Sequence, residues 1–542
     1  MMREIRFGMI GIIVSAMLLA SIPFVSATLY GDANEDTRIN MQDVTKVERM
    51  ILGYDSETTS ADANQDGDIN MQDVTSIELI ILERVLFPGG NLDVVMIFGP
   101  KDNTLDPAYK WTGWYVRKAG IYETLFKYND EMELTPELAT GYTQVSDTVW
   151  DIHLREGVTF HDGNPLDADA VVYSIGRVMD ESNSRSSEYD HIESIAAAGD
   201  YTVRVTTNDP YAPTIASLTD PLISIVSPDA SDLASDPVGT GPFIYDSNEF
   251  GASLSVVRNP NYWGGGVKLE SVTLTYVSEG ATRAAMLESG DVNIARGLPY
   301  PQVSTIEGNP DLGVVSKETL RAYFMFVNTA PGPGRAPLDD VRVRQAINYA
   351  IDRDAVVDVA LEGVGGVSAK GVFPSIFPWA NDDLAGYPHD QAKALELLED
   401  AGITDSDGVL KLSNGDDFTL NIMTYTSRAA MQPSVEVIES QLEAIGIDVT
   451  IELLGSSAIK AAMVDGDYDM AFYSYGVAPS GDPNHYLTTH FDSTAGYKEN
   501  GWTRYSNATV DSLLADARTE MDQATRKDYY DQAQAIIVEE SP

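Results

Sequence analysis

Asp32, Asn34, Asp36, Asn40 and Asp43 place side-chain oxygens at positions 1, 3, 5, 9 and 12 of a short loop. At an offset of 30 residues, Asp62, Asn64, Asp66, Asn70 and Asp73 repeat the set. Position 7, which offers its backbone carbonyl in such a loop, is Arg38 in the first copy and Asp68 in the second. Calcium is a hard cation that takes roughly six to eight oxygens, and this spacing wraps one loop around one ion. Two Ca2+ ions are therefore expected. A pair of solvated acidic turns is the bland alternative, but it gives no reason for the same ligand set to occur twice. Thr37 stands where the sharp turn prefers glycine, whereas Gly67 supplies one, so the first loop is expected to be the weaker site.

The elements around these loops are short. A helix follows each one, with Val44, Val47 and Ile51 on one apolar face and Val74, Ile77 and Ile80 on the other copy's face. Ile39 and Ile69 turn each loop back onto that face. Residues 28–87 resemble a type I dockerin: two loop–helix repeats, Asp at position 12, and no entering helices. The resemblance implies a small all-α module with two calcium loops, calcium-dependent folding, and docking onto a cohesin of another protein. It implies recognition through the residues just after position 9, here Met41-Gln42 and Met71-Gln72. Because the copies are nearly identical, either could face the partner. Residues 88–92, rich in proline and glycine, read as a linker.

Ahead of the repeats, Arg3 and Arg6 precede an uncharged run from Phe7 to Val25, and Val25-Ser26-Ala27 gives small residues at cleavage spacing. Residues 1–27 are expected to be a secretory signal peptide and the protein to be exported, extracellular or associated with the cell surface. An uncleaved anchor is the alternative. The chain has no cysteine, which excludes thiol catalysis, disulfides, cysteine zinc sites and a lipid-bearing cysteine. Its 35 Lys and Arg against 83 Asp and Glu leave a net charge of −48. A surface of that sign repels phosphate backbones, so no nucleic-acid partner is expected. A saline habitat fits such a surface.

From Asp93 onward, alternating runs such as 150–154 and 271–276 predict strands, and helical periods occupy 341–359, 390–400 (with Asp390 as N-cap) and 433–445. The runs 417–423 and 447–453 flank the last helix and predict a β–α–β unit with parallel strands. This α/β pattern is too long for one core, so two lobes are expected. No nucleophile elbow, zinc-protease helix, phosphate loop or dinucleotide fingerprint occurs. With 83 acids, a chance carboxylate pair for glycoside hydrolysis is easy to find and therefore uninformative.

An ordered set of blocks then covers most of 93–542. It runs Asn103-Thr-Leu-Asp-Pro-Ala108, Tyr122-Glu-Thr-Leu-Phe-Lys-Tyr128, Pro136-Glu-Leu-Ala139 and Leu154-Arg-Glu-Gly-Val-Thr-Phe-His-Asp-Gly163. It continues with Gly239-Thr-Gly-Pro-Phe243, Arg258-Asn-Pro-Asn-Tyr-Trp263, Thr282–Asp291, Asn328-Thr329 and Val341–Ala350. Together they resemble family 5 solute-binding proteins, the peptide/nickel class of ABC importers. The resemblance implies an α/β two-lobed periplasmic-binding-protein type II-like fold, a non-catalytic receptor, and an ABC importer permease as partner. The expected limits are lobe 1 at 93–320, lobe 2 at 321–520 and a return to lobe 1 over 521–542. Family members continue past this point, so the C-terminus is expected to be incomplete. The competing reading is a dockerin-borne extracellular enzyme acting on polysaccharide. From the residues themselves, Gly239, Gly241 and Pro242 are expected to form a close-packed turn and Arg283 a structural ion pair.

The resemblance also points to a cleft. Tyr109, Trp111 and Tyr115 lie where the family lines it, and Tyr473, Tyr475 and Asp482 stand across. Peptide binders of the family hold the peptide amine with an Asp shortly before the Asp-Pro pair, where this chain has Pro479 or Ser480. The nickel branch is therefore the first expectation and an oligopeptide ligand the second. That branch holds Ni2+ through a small organic chelator, which would assign Arg185 to a chelator carboxylate, His485 or His490 to the metal, and Trp379 to the wall.

Overall fold

A computed structural model describes residues 89–542, apart from 101, 333–335, 479 and 495–501, together with isolated positions between 33 and 69. The signal segment and all twelve expected calcium-loop positions (Asp32, Asn34, Asp36, Arg38, Asn40, Asp43, Asp62, Asn64, Asp66, Asp68, Asn70 and Asp73) lie outside the described residues. In the N-terminal unit, Lys46, Val47, Met50 and Ile51 are helical. Val47 and Met50 are buried and Ile51 is exposed, so the buried face runs at i, i+3 through Met50 and leaves Ile51 outside. Thr58 closes a local turn, donating its hydroxyl to the Ala33 carbonyl at 3.3 Å and accepting from the Ala61 amide at its own carbonyl at 3.1 Å.

The larger unit is two-lobed. Its first lobe carries strands β1 (Asn91–Met96), β2 (Phe126–Tyr128), β3 (Leu134–Pro136), β4 (Ala139–Ser146), β5 (Val149–Leu154) and β6 (Ile192–Gly199). The lobe continues with β7 (Thr202–Thr207), β8 (Phe243–Glu249), β9 (Ser253–Arg258), β10 (Ser271–Tyr276) and β11 (Ile294–Ala295). They form a five-stranded sheet in the order β11-β1-β10-β9-β8, a four-stranded sheet β4-β5-β7-β6, and a hairpin β2-β3. β1 runs parallel to β11, with Val94 beside Ile294. The helix Ala168–Met179 begins at Asp167, whose carboxylate accepts from the Ala170 amide at 2.9 Å.

The second lobe carries β12 (Arg321–Val327), β13 (Thr404–Ser406), β14 (Val409–Lys411), β15 (Thr419–Tyr425), β16 (Asp448–Leu454) and β17 (Met470–Gly476). Its main sheet has the order β12-β17-β15-β16. β15 and β16 are parallel and joined by the helix Met431–Glu443, which is the expected β–α–β unit. That helix buries Val435, Ile438 and Leu442 against Leu420, Ile422 and Val449 of the sheet. Each such side chain contributes about 1.5–3 kcal/mol.

Asp390 caps its helix as expected, accepting from the Lys393 amide at 2.9 Å. The period over 341–359 is not one helix but two, Val341–Ala350 and Arg353–Ala360. Asp352 interrupts it in an extended conformation and caps the second helix through the Ala355 amide at 3.0 Å. Gly239 and Gly241 form the close-packed turn: a Cβ on Gly239 would strike the Ile121 carbonyl, and one on Gly241 the carbonyls of Gly120 and Ile121. The final helix, Gln523–Glu540, departs from the expected return to lobe 1. It buries Tyr530, Ala533 and Ile537 with Trp379 and Tyr486 of the second lobe, and Arg344 donates to the Glu540 carbonyl at 2.8 Å. Its apolar face finds its complement there.

Candidate ligand-binding cleft

The C-terminal ends of β15 and β17 and the start of β12 meet at one end of the second-lobe sheet, because β12 runs antiparallel to β17 with Arg321 beside Gly476. Crevices at the carboxyl ends of parallel strands are where α/β sheets take ligands. Arg321 and Tyr323 stand at the start of β12, Tyr425 ends β15, and Arg428 follows in the next loop. Arg321 donates to the Ser474 hydroxyl at 3.0 Å. The Tyr425 and Tyr473 rings pack at 5.2 Å.

The first lobe meets them with its own strand ends. Phe98 follows β1, Tyr276 ends β10, and Arg296 follows β11. Tyr115 and Lys118 come from the short helical stretch 113–119, with the Lys118 amine 5.8 Å from the Tyr115 ring centroid. Arg428 of the second lobe lies 5.9 Å from the Phe98 ring of the first. Tyr300 and Tyr323 also face each other across the lobes, both packing on Ala360, Leu361 and Ala430.

Lys118, Arg296, Arg321 and Arg428 thus converge. Lys118, Arg296 and Arg321 are open to solvent and Arg428 is half-buried. Lys118 and Arg321 are accessible to water yet enclosed by protein on several sides, as groups lining a cleft are. Burial and then the charges of Arg296, Arg321 and Arg428 bring the Lys118 amine down to about 8. Burial and then Arg428 lower Arg321. Burial raises the phenols of Tyr115, Tyr276 and Tyr473, and that of Tyr300 to about 12.

The residues singled out from sequence fall into separate groups. Tyr115 and Tyr473 lie with the cations just described. Tyr109 and Trp111 are exposed, Lys110 lies 4.8 Å from the Tyr109 ring centroid, and the Arg185 guanidinium stacks on Trp111 at 3.8 Å. Arg185 is buried and its donors are committed: two reach Glu188 at 2.7 Å each, one Asp220 at 2.7 Å and one the Lys110 carbonyl at 3.2 Å. His485 lines a cavity of about 40 Å³ with Glu188, Asp220 and Asp482. Burial lowers its pKa.

Asp482 is held by Arg526 at 2.6 and 2.8 Å, and Trp379 lies 4.9 Å from the same guanidinium. Tyr475 and His490 pack ring to ring at 4.9 Å inside an aromatic cluster with Tyr486 and Trp502. Arg283 is structural, but through carbonyls instead of the expected carboxylate: it donates to Val277, Ser278, Arg296 and Gly297. It thereby fixes the turn that carries Arg296.

Sequence reasoning missed Lys118, Arg296, Arg321 and Arg428. A signal existed: bases are scarce here, 35 against 83 acids, and two of these four, Arg296 and Arg321, stand at strand ends. Among the described residues, no group of three or more His, Asp or Glu side chains could hold a metal ion, and no helix is long and apolar enough to cross a membrane.

Two α/β lobes with strand ends facing a tyrosine-lined cleft define a two-lobed solute-binding protein. Residues 133–498 match the profile of the bacterial extracellular solute-binding proteins, family 5, middle region, and the chain belongs to that family. Residues 30–82 match the type I dockerin domain. The glutathione-binding protein GsiB of Escherichia coli (strain K12) is 31% identical over 473 residues, spanning 83% of this chain and 88% of that protein. The periplasmic binding protein DppA from Helicobacter pylori, solved with the peptide STSA, superposes with a TM-score of 0.68 at 28% identity, over 84% of this chain and 91% of that one. A nickel ABC transporter structure from Bacillus halodurans gives 0.69 at 30% identity, over 83% and 92%. Proteins of this family are non-enzymatic transport receptors, so the polysaccharide-enzyme reading falls away.

Proposed function

We propose that the protein is the extracytoplasmic receptor that captures a small solute in the cleft between its lobes and hands it to an ABC importer permease. The observation that carries this reading is the cleft itself: strand ends of both lobes converge on Tyr115, Tyr276, Tyr300, Tyr323, Tyr425 and Tyr473. Aromatic walls with a few polar groups suit a small organic ligand. The candidates are a short peptide or a nickel chelate, since relatives are named for glutathione, peptide and nickel. Nickel would enter as cargo carried by its chelator. Lobe closure over the solute would be a hinge motion stabilised by contacts to both lobes.

The dockerin is the proposed tether. Its donor set, all oxygen with Asp at position 12, fits two Ca2+ ions, and a cohesin-bearing surface or scaffold protein would hold the folded module. The proposed limits are 1–27 for the signal, 28–87 for the dockerin, 88–92 for the linker, and lobes dividing near 320. Thermal unfolding of the full chain in calcium, screened against glutathione, a peptide pool and nickel with histidine or polycarboxylates, tests the receptor reading. A ligand at a hundred times its dissociation constant should add roughly 2.7 kcal/mol of stability. If no member of the panel shifts the transition, the reading fails.

A further inference from the structure

Lys118, Arg296, Arg321 and Arg428 present four positive charges to one cleft in a chain of net charge −48. With 83 acids available, chance alone would surround most cations with carboxylates. Several arginines of this protein are met that way: Arg117 pairs with Glu137, Arg177 with Asp106, Arg185 with Asp220, Arg204 with Asp151, Arg518 with Asp492 and Arg526 with Asp482. Others, such as Arg258, Arg283 and Arg344, are spent on backbone carbonyls. Among the described residues, the four cleft cations do neither. Among the described residues, none of them forms an ion pair with a carboxylate, and the charges that act on Lys118 are all positive. What they do have is one hydroxyl, Ser474, on Arg321, and two ring faces, Tyr115 beside Lys118 and Phe98 beside Arg428.

Holding like charges together in a partly desolvated site is unfavourable unless something of the opposite sign joins them. The cations are also split evenly between the lobes. Lys118 and Arg296 belong to the first, Arg321 and Arg428 to the second. Arg296 is further fixed because Arg283 binds the Arg296 and Gly297 carbonyls. Arg321 is fixed by its Ser474 bond. The site is therefore built with some rigidity, and its two halves can each grip one end of a bound molecule.

We propose that the ligand of this cleft is an anion carrying at least two carboxylates, one held by Lys118 and Arg296 and the other by Arg321 and Arg428. The inference rests on the receptor reading above and narrows it to a substrate class. Guanidinium groups bind carboxylates through charge-assisted, often paired hydrogen bonds, which makes arginine suited to this task. The tyrosine hydroxyls around the cations add donors for the remaining carboxylate lone pairs. A peptide with one acidic side chain and a free C-terminus has this chemistry. So does a metal ion wrapped by a polycarboxylate. The shared feature is the pair of carboxylates, and the test separates the two sources.

The experiment is calorimetric titration of the full chain in calcium. One arm uses acidic probes: glutathione, the peptide Ala-Glu-Ala with a free C-terminus, citrate, and nickel with citrate. The second arm uses their neutralised forms, glutathione diethyl ester and Ala-Gln-Ala-amide. A third arm is a pool of neutral and cationic tripeptides. Expected is binding in the first arm only. R321Q and R428Q should each weaken it about 10- to 100-fold, the range for losing one charge-assisted contact. Peptide binding without nickel–citrate binding assigns the acidic-peptide source, and the reverse assigns the chelate.

Misfolding of the variants is separable from loss of contact. Because these arginines repel one another, R321Q and R428Q should leave the melting temperature of the ligand-free protein unchanged or raise it, while the ligand-induced rise disappears. Equal binding of esters and free acids, or undiminished binding by R321Q and R428Q, overturns the anion inference and leaves the receptor reading standing. Binding confined to neutral or cationic tripeptides does the same. Binding of nothing in any arm overturns both.

Discussion

Lys118 is the cleft residue whose charge is easiest to switch. Its amine sits at about 8, through burial first and then Arg296, Arg321 and Arg428, against an ordinary 10.5. Between those values the unfolded chain binds more protons than the folded one, so the ligand-free protein gains stability from this group as pH rises through the window. A bound carboxylate has the opposite preference and retains the proton. Anion affinity should therefore be full below about pH 8 and decline above it. Dissociation constants at pH 7 and 9.5 check this, and Lys118→Gln should flatten the difference. Asp482 illustrates the contrasting case. It and Arg526 are buried together, and Arg526 keeps its charge because Asp482 outweighs the cost of burial. Asp482→Asn should cost about 3–5 kcal/mol in urea unfolding, since it strands a buried guanidinium. A neutral result would mean that the pair is as dispensable as a surface one.

At the scale of elements, caps and calcium loops make the sharpest expectations. Asp352→Ala should cost about 1 kcal/mol, because it removes the cap of Arg353–Ala360 where the sequence alone suggested an uninterrupted helix. Chelation of calcium should remove the helical signal contributed by residues 28–87 while the cooperative unfolding of 93–542 persists; an unchanged circular dichroism spectrum would refute calcium-dependent folding.

The β15–helix–β16 unit was legible because its apolar periods switch cleanly between strand and helix. The break at Asp352 was not, because apolar spacing continues across it and only the side-chain cap interrupts the backbone. The position of the C-terminal helix was hidden for a similar reason: an apolar stripe says that a face is buried but not against which lobe. The cleft was half legible. Tyr115 and Tyr473 lie in aromatic-rich stretches where the resemblance implies a cleft, whereas Arg296, Arg321 and Arg428 are brought together only by topology, across more than a hundred residues of chain.

For the whole molecule, a net charge of −48 opposes the approach of any anion. Added salt screens that long-range field more effectively than it screens contacts inside the cleft. Association of a dicarboxylate should therefore accelerate as ionic strength rises from low to moderate, the reverse of ordinary charge-steered binding. Stopped-flow rates across a salt series would show it, and rates that fall with salt would count against it.

The division of the four cations, two to each lobe, has one further consequence. To close while empty, the protein must push like charges toward each other. A dicarboxylate supplies the missing counter-charge and removes that opposition. Small-angle scattering should then report compaction on loading, and a variant lacking Arg321 and Arg428 charge should compact without ligand. In signalling terms the cleft would then act as an error check: a permease that engages only the closed shape would meet fewer vacant receptors, because closing without a dicarboxylate costs more.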